Sequence, residues 1–361
     1  MTHSPIHAPH VHTPLHTRKM MEWVMLALVP ATVFGFWLYG WPAFNIWLLA
    51  LCSALLAEAL ALFLRGHFNK NTLLDGSAIL TGWLLALSLP PWAPWWLIVI
   101  GTTFAILIGK QVFGGLGQNV FNPAMMARVM LLISFPVEMT TWVTPTVSHA
   151  LPGFWESLAI TWHGIIPPDM VSSASLLGHV KTEFTKGTDL TTALQGYDIS
   201  SMQAMWGWRA GSLGETSDFL LILGGGALMV SGVITWHIPV SMLMGTLVPA
   251  FLMHALNPTY YAGPFYHVLQ GGLLLGAFFI ATDPVTSPNT TTGQILFGLG
   301  CGVLTYIIRT WGNYPEGVAF AVLLMNAATP TIDHYIRPRI YGRNSKGDVL
   351  LPKTDRTRNT P

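Results

Sequence analysis

Residues 43–64 read AFNIWLLALCSALLAEALALFL, with Glu58 as the one charged side chain. A run of this length and composition is typical of a helix that crosses a bilayer, which takes about 20 apolar residues. A carboxylate inside such a helix is energetically costly, and it is usually functional, paired with a cation or protonated. The stretch therefore predicts a membrane-spanning helix and makes Glu58 a candidate ion-coupling residue.

The composition of the whole chain agrees with this interpretation. The 361 residues are 52% hydrophobic and 9% charged, whereas soluble domains are about 25% charged. Apolar runs occur at about residues 21–39, 43–64, 74–90, 95–110, 122–137, 217–235, 238–255, 264–282, 294–309 and 316–331. The sequence thus predicts an all-α polytopic membrane protein with about ten transmembrane helices.

The positions of lysine and arginine predict the orientation of these helices. With ten spans, most positive residues fall on one side of the membrane: Arg18, Lys19, Arg65, Lys70, Lys110 and those of residues 337–358. The other side receives Lys181, Lys186, Arg209 and Arg309. Because positively charged loops favour the cytoplasm, we expect both termini there and the long interval between the fifth and sixth runs outside.

The two halves of the chain resemble each other when they are aligned at an offset of 194 residues. The aligned pairs are Gly82 with Gly276, Pro90 with Pro284, Asn119 with Asn313, and Pro136 with Pro330. Five spans in each half give the halves opposite orientations, as in inverted-repeat transporters. The sequence therefore predicts a cytoplasmic tail (1–20), a first membrane repeat (21–137), an extracytoplasmic loop (138–216), a second membrane repeat (217–331) and a cytoplasmic tail (332–361).

Helix-breaking segments within the repeats are the candidate binding elements, because inverted repeats build their sites from broken helices. They are residues 117–124 (GQNVFNPA), 311–318 (WGNYPEGV), 88–91 (SLPP) and 281–287 (ATDPVTS). Asn119, Asn122 and Asp283 are the polar side chains that stand out. They either bind a polar ligand or satisfy backbone groups that the prolines leave unpaired, and the sequence leaves both interpretations open.

The long interval contains a threonine-rich stretch, residues 181–194, which reads KTEFTKGTDLTTAL. Taken alone, such a stretch is typical of turns and helix N-caps. The alternative is that one of the threonines is modified, and the rest of the chain favours this alternative.

Four long stretches resemble a known family. They are residues 75–96 (DGSAILTGWLLALSLPPWAPWW), 114–124 (GGLGQNVFNPA), 281–288 (ATDPVTSP) and 313–333 (NYPEGVAFAVLLMNAATPTID). They closely resemble the D subunits of the Rnf ion-translocating electron-transport complex, and more distantly the B subunit of the sodium-pumping NADH:quinone reductase. The resemblance covers about residues 17–343 and implies two inverted five-helix repeats in a bacterial inner membrane.

The resemblance also implies cofactors. These subunits carry an FMN that a flavin transferase joins through its phosphate to a threonine in the periplasmic loop. The family's attachment motif matches residues 185–190 (TKGTDL), which assigns the FMN to Thr188. Lys186, Gly187 and Asp189 depart from the family's motif, so Thr185, Thr191 and Thr192 remain alternative acceptors. A second, non-covalent flavin resembling riboflavin lies in the membrane part, and the matching residues are Asn119, Asn122, Pro123 and Asp283, with Phe121 packed on the ring.

The function implied is that of a flavoprotein subunit in a translocase that couples electron flow between ferredoxin and NAD to Na⁺ or H⁺ movement. Its implied partners are a flavin-bearing G-type subunit, iron–sulfur subunits and membrane subunits of the A and E types, with no nucleic acid. The alternative is a channel or transporter with inverted repeats and no redox cofactor, in which Glu58, Asn122 and Asp283 line the substrate path. Covalently bound flavin distinguishes the two.

Overall fold

The computed structural model describes residues 17–66, 70–145, 151–164, 172–173, 175–186, 192, 205–215, 217–314 and 316–338. In the first half, α1 spans Thr17–Tyr39, α2 Trp41–Leu64, α3 Lys70–Leu73, α4 Ser77–Leu87, α5 Trp95–Ile106, α6 Pro123–Ser134 and α7 Pro136–Thr140. A π-helical turn, Leu107–Gln111, continues α5. The long interval contains β1 (Trp142–Val143), α8 (Phe154–His163), β2 (Ser172–Ser173), α9 (Leu176–Thr185) and a 3₁₀ turn, Leu213–Glu215.

The second half contains α10 (Asp218–Val230), α11 (His237–Leu256), α12 (Pro264–Leu269), α13 (Leu273–Leu275), α14 (Thr291–Trp311) and α15 (Val318–Tyr335). A π-helical turn, Gly276–Ile280, continues α13. Among the described residues, α1, α2, α11 and α14 are long and apolar enough to cross a membrane, and α4, α5 with its π turn, α6 and α10 are shorter apolar helices. A mostly helical, multi-pass membrane protein is therefore confirmed.

Several helices are shorter than the apolar runs that predicted them, because glycine and proline interrupt the runs. α4 ends at Leu87, just before the Pro90–Pro91 pair, and α6 ends at Ser134, just before Pro136. The run at 264–282 divides into α12 and α13 at Gly271, whose φ of 71° lies in the left-handed region that favours glycine. Proline removes a backbone donor and glycine allows the chain to turn, so the breaks have local causes.

The helices pack in neighbouring pairs. In the first half α2 packs against α4 and α5, in the second half α11 packs against α14, and α1 and α6 of the first half contact α10 and α15 of the second. The α11–α14 contact is close because both helices present glycine: a Cβ on Gly302 would collide with the carbonyl oxygen of Met242 and with Gly245. Small residues at such contacts let helix backbones approach within the membrane.

The described parts of the long interval are docked on both halves. β1 and β2 form an antiparallel pair that joins Trp142 to Ser173. α8 lies against α2, where Asn45 Nδ2 donates to Ser157 Oγ at 3.1 Å. α9 packs on the residues before and within α12 through Leu176 and Val180. The small β pair is the one departure from the all-α prediction within the described residues.

Residues 205–215 turn back into the helix bundle. Leu213 is fully buried, and its N–H donates to the carbonyl of Leu89 at 3.2 Å. This contact fixes the end of α4 and places Arg209 and Glu215 in the interior. The polar interval therefore supplies charged side chains to the membrane part of the protein.

Candidate functional site

A cleft at one end of the bundle contains all four residues that the sequence predicted for the second flavin. We call it the first cleft. Its volume is about 770 Å³ including the open mouth, and Asn119, Asn122, Pro123 and Asp283 line it. Its other walls come from α1, α4, the π turn after α5, the residues after α10, and Phe279. Small-molecule sites are lined by apolar side chains with a few convergent polar groups, and the lining of this cleft has that mixture.

Asn122 holds the wall of the first cleft in place. Its side-chain oxygen accepts hydrogen bonds from the N–H groups of Ala124 and Met125, at 3.1 and 3.2 Å, and so caps the N-terminus of α6. Pro123 occupies the first helical position, where a missing N–H costs nothing. Replacing such a cap by alanine typically destabilises a helix by about 1 kcal/mol. The cap therefore explains the Asn–Pro sequence without a ligand.

Asn119 and Asp283 make local bonds at the rim of the same cleft. Asn119 Nδ2 donates to the carbonyl of Phe121 at 3.1 Å, which leaves its side-chain oxygen as an acceptor. Asp283 accepts from the N–H of Val285 and the hydroxyl of Thr286, both at 3.2 Å. The predicted ring contact of Phe121 is not found, since the aromatic side chain in the lining is that of Phe279.

Asn326 on α15 joins the two broken segments behind this cleft, and sequence reasoning missed it. Its side-chain oxygen accepts from the N–H of Asn122 at 3.1 Å, and its Nδ2 donates to the carbonyl of Thr286 at 3.1 Å. Residues 117–124 and 281–287 are thereby held together by one buried amide. Of the other broken segments, residues 311–313 line a different cleft, and residues 88–91 line neither.

Glu58 forms an ion pair with Lys110, and pairing with a cationic side chain was one of the outcomes expected for a carboxylate inside a membrane helix. Its side chain is 1% exposed, and its Oε1 accepts hydrogen bonds from Lys110 Nζ at 2.8 Å and from Gln111 Nε2 at 2.7 Å. Within the described residues, its Oε2 is buried without a hydrogen-bond partner. Glu58, Arg65, Asp75 and Gln111 line a second opening, which we call the Glu58 cleft.

Lys110 is buried, so it is not the loop charge that the orientation argument counted. Besides Glu58, it donates to Ser77 Oγ at 2.7 Å, and Ser77 Oγ donates in turn to Asp75 Oδ1. The π-helical turn of α5 contains Lys110 and Gln111 and directs both side chains toward α2. Lys110 and Ser77 also line the first cleft, so this chain of polar groups lies between the two clefts.

A second buried cluster of charges includes Arg128, in the middle of α6. Arg309 NH2 is 2.9 Å from Glu316 Oε1, and Arg128 NH2 is 3.8 Å from Glu316 Oε2. Arg209 forms a two-pronged pair with Asp218, at 2.8 and 2.9 Å. Arg309 is therefore not the outer-side charge that the orientation argument counted, since its side chain and that of Glu316 are largely buried. Burying paired charges is tolerable where hydrogen bonds accompany the pair.

The third opening, the tyrosine cleft, lies beside α9. Tyr260, Tyr261, Tyr266 and Tyr306 line it together with Trp311 and His267, and His267 Nδ1 is buried there without a hydrogen-bond partner among the described residues.

Lys181 of α9 also lines this cleft. It donates to the carbonyls of Ile308, Arg309 and Tyr314 at 2.9–3.4 Å. Partial burial lowers the pKa of Lys181 to about 8, so its ammonium group is still mostly charged at neutral pH.

The predicted flavin-attachment residue, Thr188, lies outside the described residues, as does Thr191. Of the alternative acceptors, Thr185 ends α9 and Thr192 is exposed. α9 and its hydrogen bonds fix the chain up to Lys186, which is exposed and pairs with Glu183 at 2.7 Å. The attachment assignment stays a prediction.

The membrane-spanning character of the helices defines the class as a multi-pass membrane protein, with a polar cleft between its two halves and buried ion pairs in its interior. A model of the NQR2, RnfD, RnfE family matches residues 5–342. The chain belongs to this family, which confirms the resemblance found in its long motifs.

Curated relatives cover nearly the whole chain. One from Stutzerimonas stutzeri is 52% identical over 335 residues, which is 92% of this chain and 94% of the relative. One from Halorhodospira halophila is 52% identical over 351 residues, covering 96% and 97%. One from Escherichia coli K12 is 43% identical over 347 residues, covering 93% and 97%. Each of the three is named as the D subunit of an ion-translocating oxidoreductase complex.

Proposed function

We propose that this chain is the membrane flavoprotein subunit of an ion-translocating oxidoreductase complex. It relays electrons through a covalent FMN on Thr188 and a second flavin in the first cleft, and it couples their passage to Na⁺ or H⁺ movement. The observation that carries the proposal is the meeting of Asn119, Asn122, Pro123 and Asp283 in one cleft. Membership of the family and the names of its relatives support the role in a complex.

The residues of the first cleft fit the second flavin chemically. The edge of an isoalloxazine has several hydrogen-bond donors and acceptors, and Asn119, Thr81, Thr282 and Asp283 offer matching groups. Phe279 offers an apolar ring wall. When bound, the flavin supplies the redox chemistry, whereas the protein binds it, orients it and sets its electrostatic surroundings.

Replacing Asn119 by leucine is expected to weaken binding of the non-covalent flavin by about fivefold, because a hydrogen bond contributes about 1 kcal/mol. The measurement is the acid-extractable flavin per chain, in full-length protein made without a flavin transferase and titrated with riboflavin. Gln118→Leu is the matched control, since Gln118 is exposed and outside the cleft lining. Equal affinities in the two variants would place the flavin elsewhere.

The proposed architecture is two inverted five-helix repeats. The helix bounds support it, because the offset of 194 residues found in the sequence also relates the helices of the two halves. It pairs α1 with α10, α2 with α11, α4 with α13 and its π turn, α5 with α14, and α6 with α15. The first cleft lies where elements of both halves meet, which is where inverted repeats place their sites.

The proposal places the covalent FMN on the outer side. α9 ends at Thr185, three residues before Thr188, and Lys181 ties this helix to the end of α14 beside the tyrosine cleft. Aromatic side chains there offer surfaces for a planar ring. A threonine hydroxyl is a weak nucleophile, so a separate flavin transferase has to supply the base and the metal-activated phosphate.

The orientation of the chain can be tested at Lys186. A cysteine at this exposed position, introduced with Cys52→Ala, is expected to react with a membrane-impermeant thiol reagent in intact cells. The reason is that, with both termini in the cytoplasm, the long interval (138–216) faces the periplasm. A cysteine that replaces Arg337 after α15, also exposed, is the control and is expected to react after lysis. Labelling of the Lys186 site after lysis alone would reverse the orientation.

The partners proposed are the remaining subunits of such a complex: a flavin-bearing G-type subunit, iron–sulfur subunits and membrane subunits of the A and E types. Ferredoxin and NAD would bind to those subunits. A channel or transporter without redox cofactor is the alternative, and the flavin content of the purified chain decides between them.

A further inference from the structure

We propose that Lys110 couples the charge of the first cleft to cation binding at Glu58. The inference rests on the proposed function, since it takes a flavin in the first cleft as the group whose charge changes. When an electron adds negative charge to the first cleft, Lys110 moves toward it and away from Glu58. Glu58 then takes up one monovalent cation, a proton or Na⁺, through the Glu58 cleft.

The position of Lys110 is the first step of the argument. Its ammonium group donates to Glu58 Oε1 at 2.8 Å and to Ser77 Oγ at 2.7 Å, and it lines the first cleft. Glu58 lines the Glu58 cleft instead. Among the described residues, the third N–H of Lys110 has no hydrogen-bond partner. The ammonium group of Lys110 is thus shared between Glu58, in the Glu58 cleft, and the polar wall of the first cleft.

The free oxygen of Glu58 is the second step. Glu58 Oε2 is buried and has no hydrogen-bond partner among the described residues, although an ionised carboxylate accepts on both oxygens. Removing the cation from a buried pair leaves a charge that is strongly disfavoured. If Lys110 moves away, Glu58 therefore gains affinity for another cation, and Oε2 is the atom positioned to bind it.

Ser77 and Asp75 provide hydrogen-bonding groups that can hold the ammonium group of Lys110 after it leaves Glu58. Ser77 Oγ accepts from Lys110 and donates to Asp75 Oδ1. When Lys110 moves toward the first cleft, its hydrogen bond to Glu58 lengthens, whereas its hydrogen bond to Ser77 persists. Among the described residues, the other charged groups near the pair include Arg65, which bonds Gln111 Oε1 at 2.7 Å, and Asp283, which lines the first cleft. Arg65 supports Gln111, whose amide keeps its own bond to Glu58.

The charges in this step balance. A one-electron donor of the complex loses one electron, and the flavin gains it. Lys110 remains protonated throughout. One proton or one Na⁺ enters by the Glu58 cleft: the proton forms an O–H bond at Oε2, whereas Na⁺ stays an ion. The entering cation compensates the added electron, and it leaves when the electron does.

Thermodynamic linkage makes the proposal measurable. If reduction of the flavin raises the affinity of the protein for a cation by some factor, binding of that cation favours the reduced flavin by the same factor. The full chain is produced without a flavin transferase, so that its flavin is the non-covalent one, and is placed in lipid nanodiscs. The flavin's midpoint potential is then titrated against Na⁺ at fixed pH and against pH at fixed Na⁺. The wild type is expected to bind one of these cations at least about fivefold tighter when the flavin is reduced.

The double variant Glu58→Gln, Lys110→Met removes both charges. The ratio of the cation affinities in the reduced and oxidised states is then expected to fall to the value that the flavin has without this ion pair. Ser53→Ala is the control: it removes a buried hydrogen bond of the same helix, between Ser53 Oγ and Thr102 Oγ1 at 2.6 Å, and Ser53 lines neither cleft, so the coupling should persist. Ser77→Ala, which removes the other hydrogen-bond acceptor of Lys110, should reduce the ratio, and it serves as the test if the double variant does not fold.

The inference is overturned by a wild-type ratio that is retained in the double variant, or by a ratio that is lost as completely in Ser53→Ala as in the double variant. The sodium and pH titrations identify which cation is bound. A wild-type chain that holds no flavin would instead refute the proposed function, and with it the inference. A flavin that is bound but insensitive to both cations refutes the inference alone.

Discussion

Replacing Thr188 by valine is expected to abolish covalently bound flavin. Valine has nearly the shape of threonine but lacks the hydroxyl oxygen that the phosphoester needs, so the loss should be complete rather than partial. The chain is co-expressed with an active flavin transferase, denatured and separated by electrophoresis, and the band is examined for flavin fluorescence. Wild type should fluoresce and Thr188→Val should not.

The matched control is Thr192→Val, which changes another threonine of residues 181–194 at an exposed position. This variant should keep its fluorescence. A fluorescent Thr188→Val band, with a dark band for Thr192→Val, would move the attachment to Thr192. The departures of Lys186, Gly187 and Asp189 from the family's motif make this comparison informative.

Replacing Lys110 by methionine is expected to lower the free energy of unfolding by about 3–5 kcal/mol, because breaking a buried ion pair from one side leaves an uncompensated charge. Methionine fills a similar volume, so the loss reports the charge rather than a cavity. The measurement is equilibrium unfolding in mixed detergent micelles.

The double variant Glu58→Gln, Lys110→Met should recover most of this loss, since neither side chain is then charged and Gln111 can still donate to the amide oxygen. Replacing a whole buried pair is often neutral for the same reason. A Lys110→Met chain within about 1 kcal/mol of the wild type would mean that the ion pair contributes little to the stability of the folded protein.

The sequence indicated which residues come together in the first cleft better than it indicated the contacts among them. Asn119, Asn122, Pro123 and Asp283 were recognised from motifs that break helices, and the structure brings them together because the same breaks bring the two halves into contact. Whether these side chains bind a ligand or satisfy the backbone could not be read from the sequence. For Asn122 the answer is at least partly structural, since it caps α6.

The partners of the buried charges could not be predicted. Lys110 is 52 residues from Glu58, and it follows an apolar run in the way that a loop lysine does. A π-helical turn, for which the sequence gives no clear signal, places it inside. Arg309 was counted as a charge outside the membrane for the same reason: a charge at the end of an apolar run is either interfacial or buried, and tertiary packing decides which.

The orientation argument is affected by these results but not reversed. Lys110, Arg209 and Arg309 are buried in ion pairs, so they carry no information about which side is cytoplasmic. Arg18, Lys19 and Arg65 on one side, and the exposed Lys186 on the other, still favour cytoplasmic termini.

The most direct test of the central claim, that this chain carries electrons on two flavins, is the flavin content of the purified full-length protein. Acid-extractable and acid-resistant flavin are measured separately, with and without co-expressed flavin transferase. We expect one extractable flavin per chain in both preparations, and one further acid-resistant flavin when the transferase is present. A chain without flavin of either kind, with the transferase active on another substrate, would contradict the account and favour a transporter.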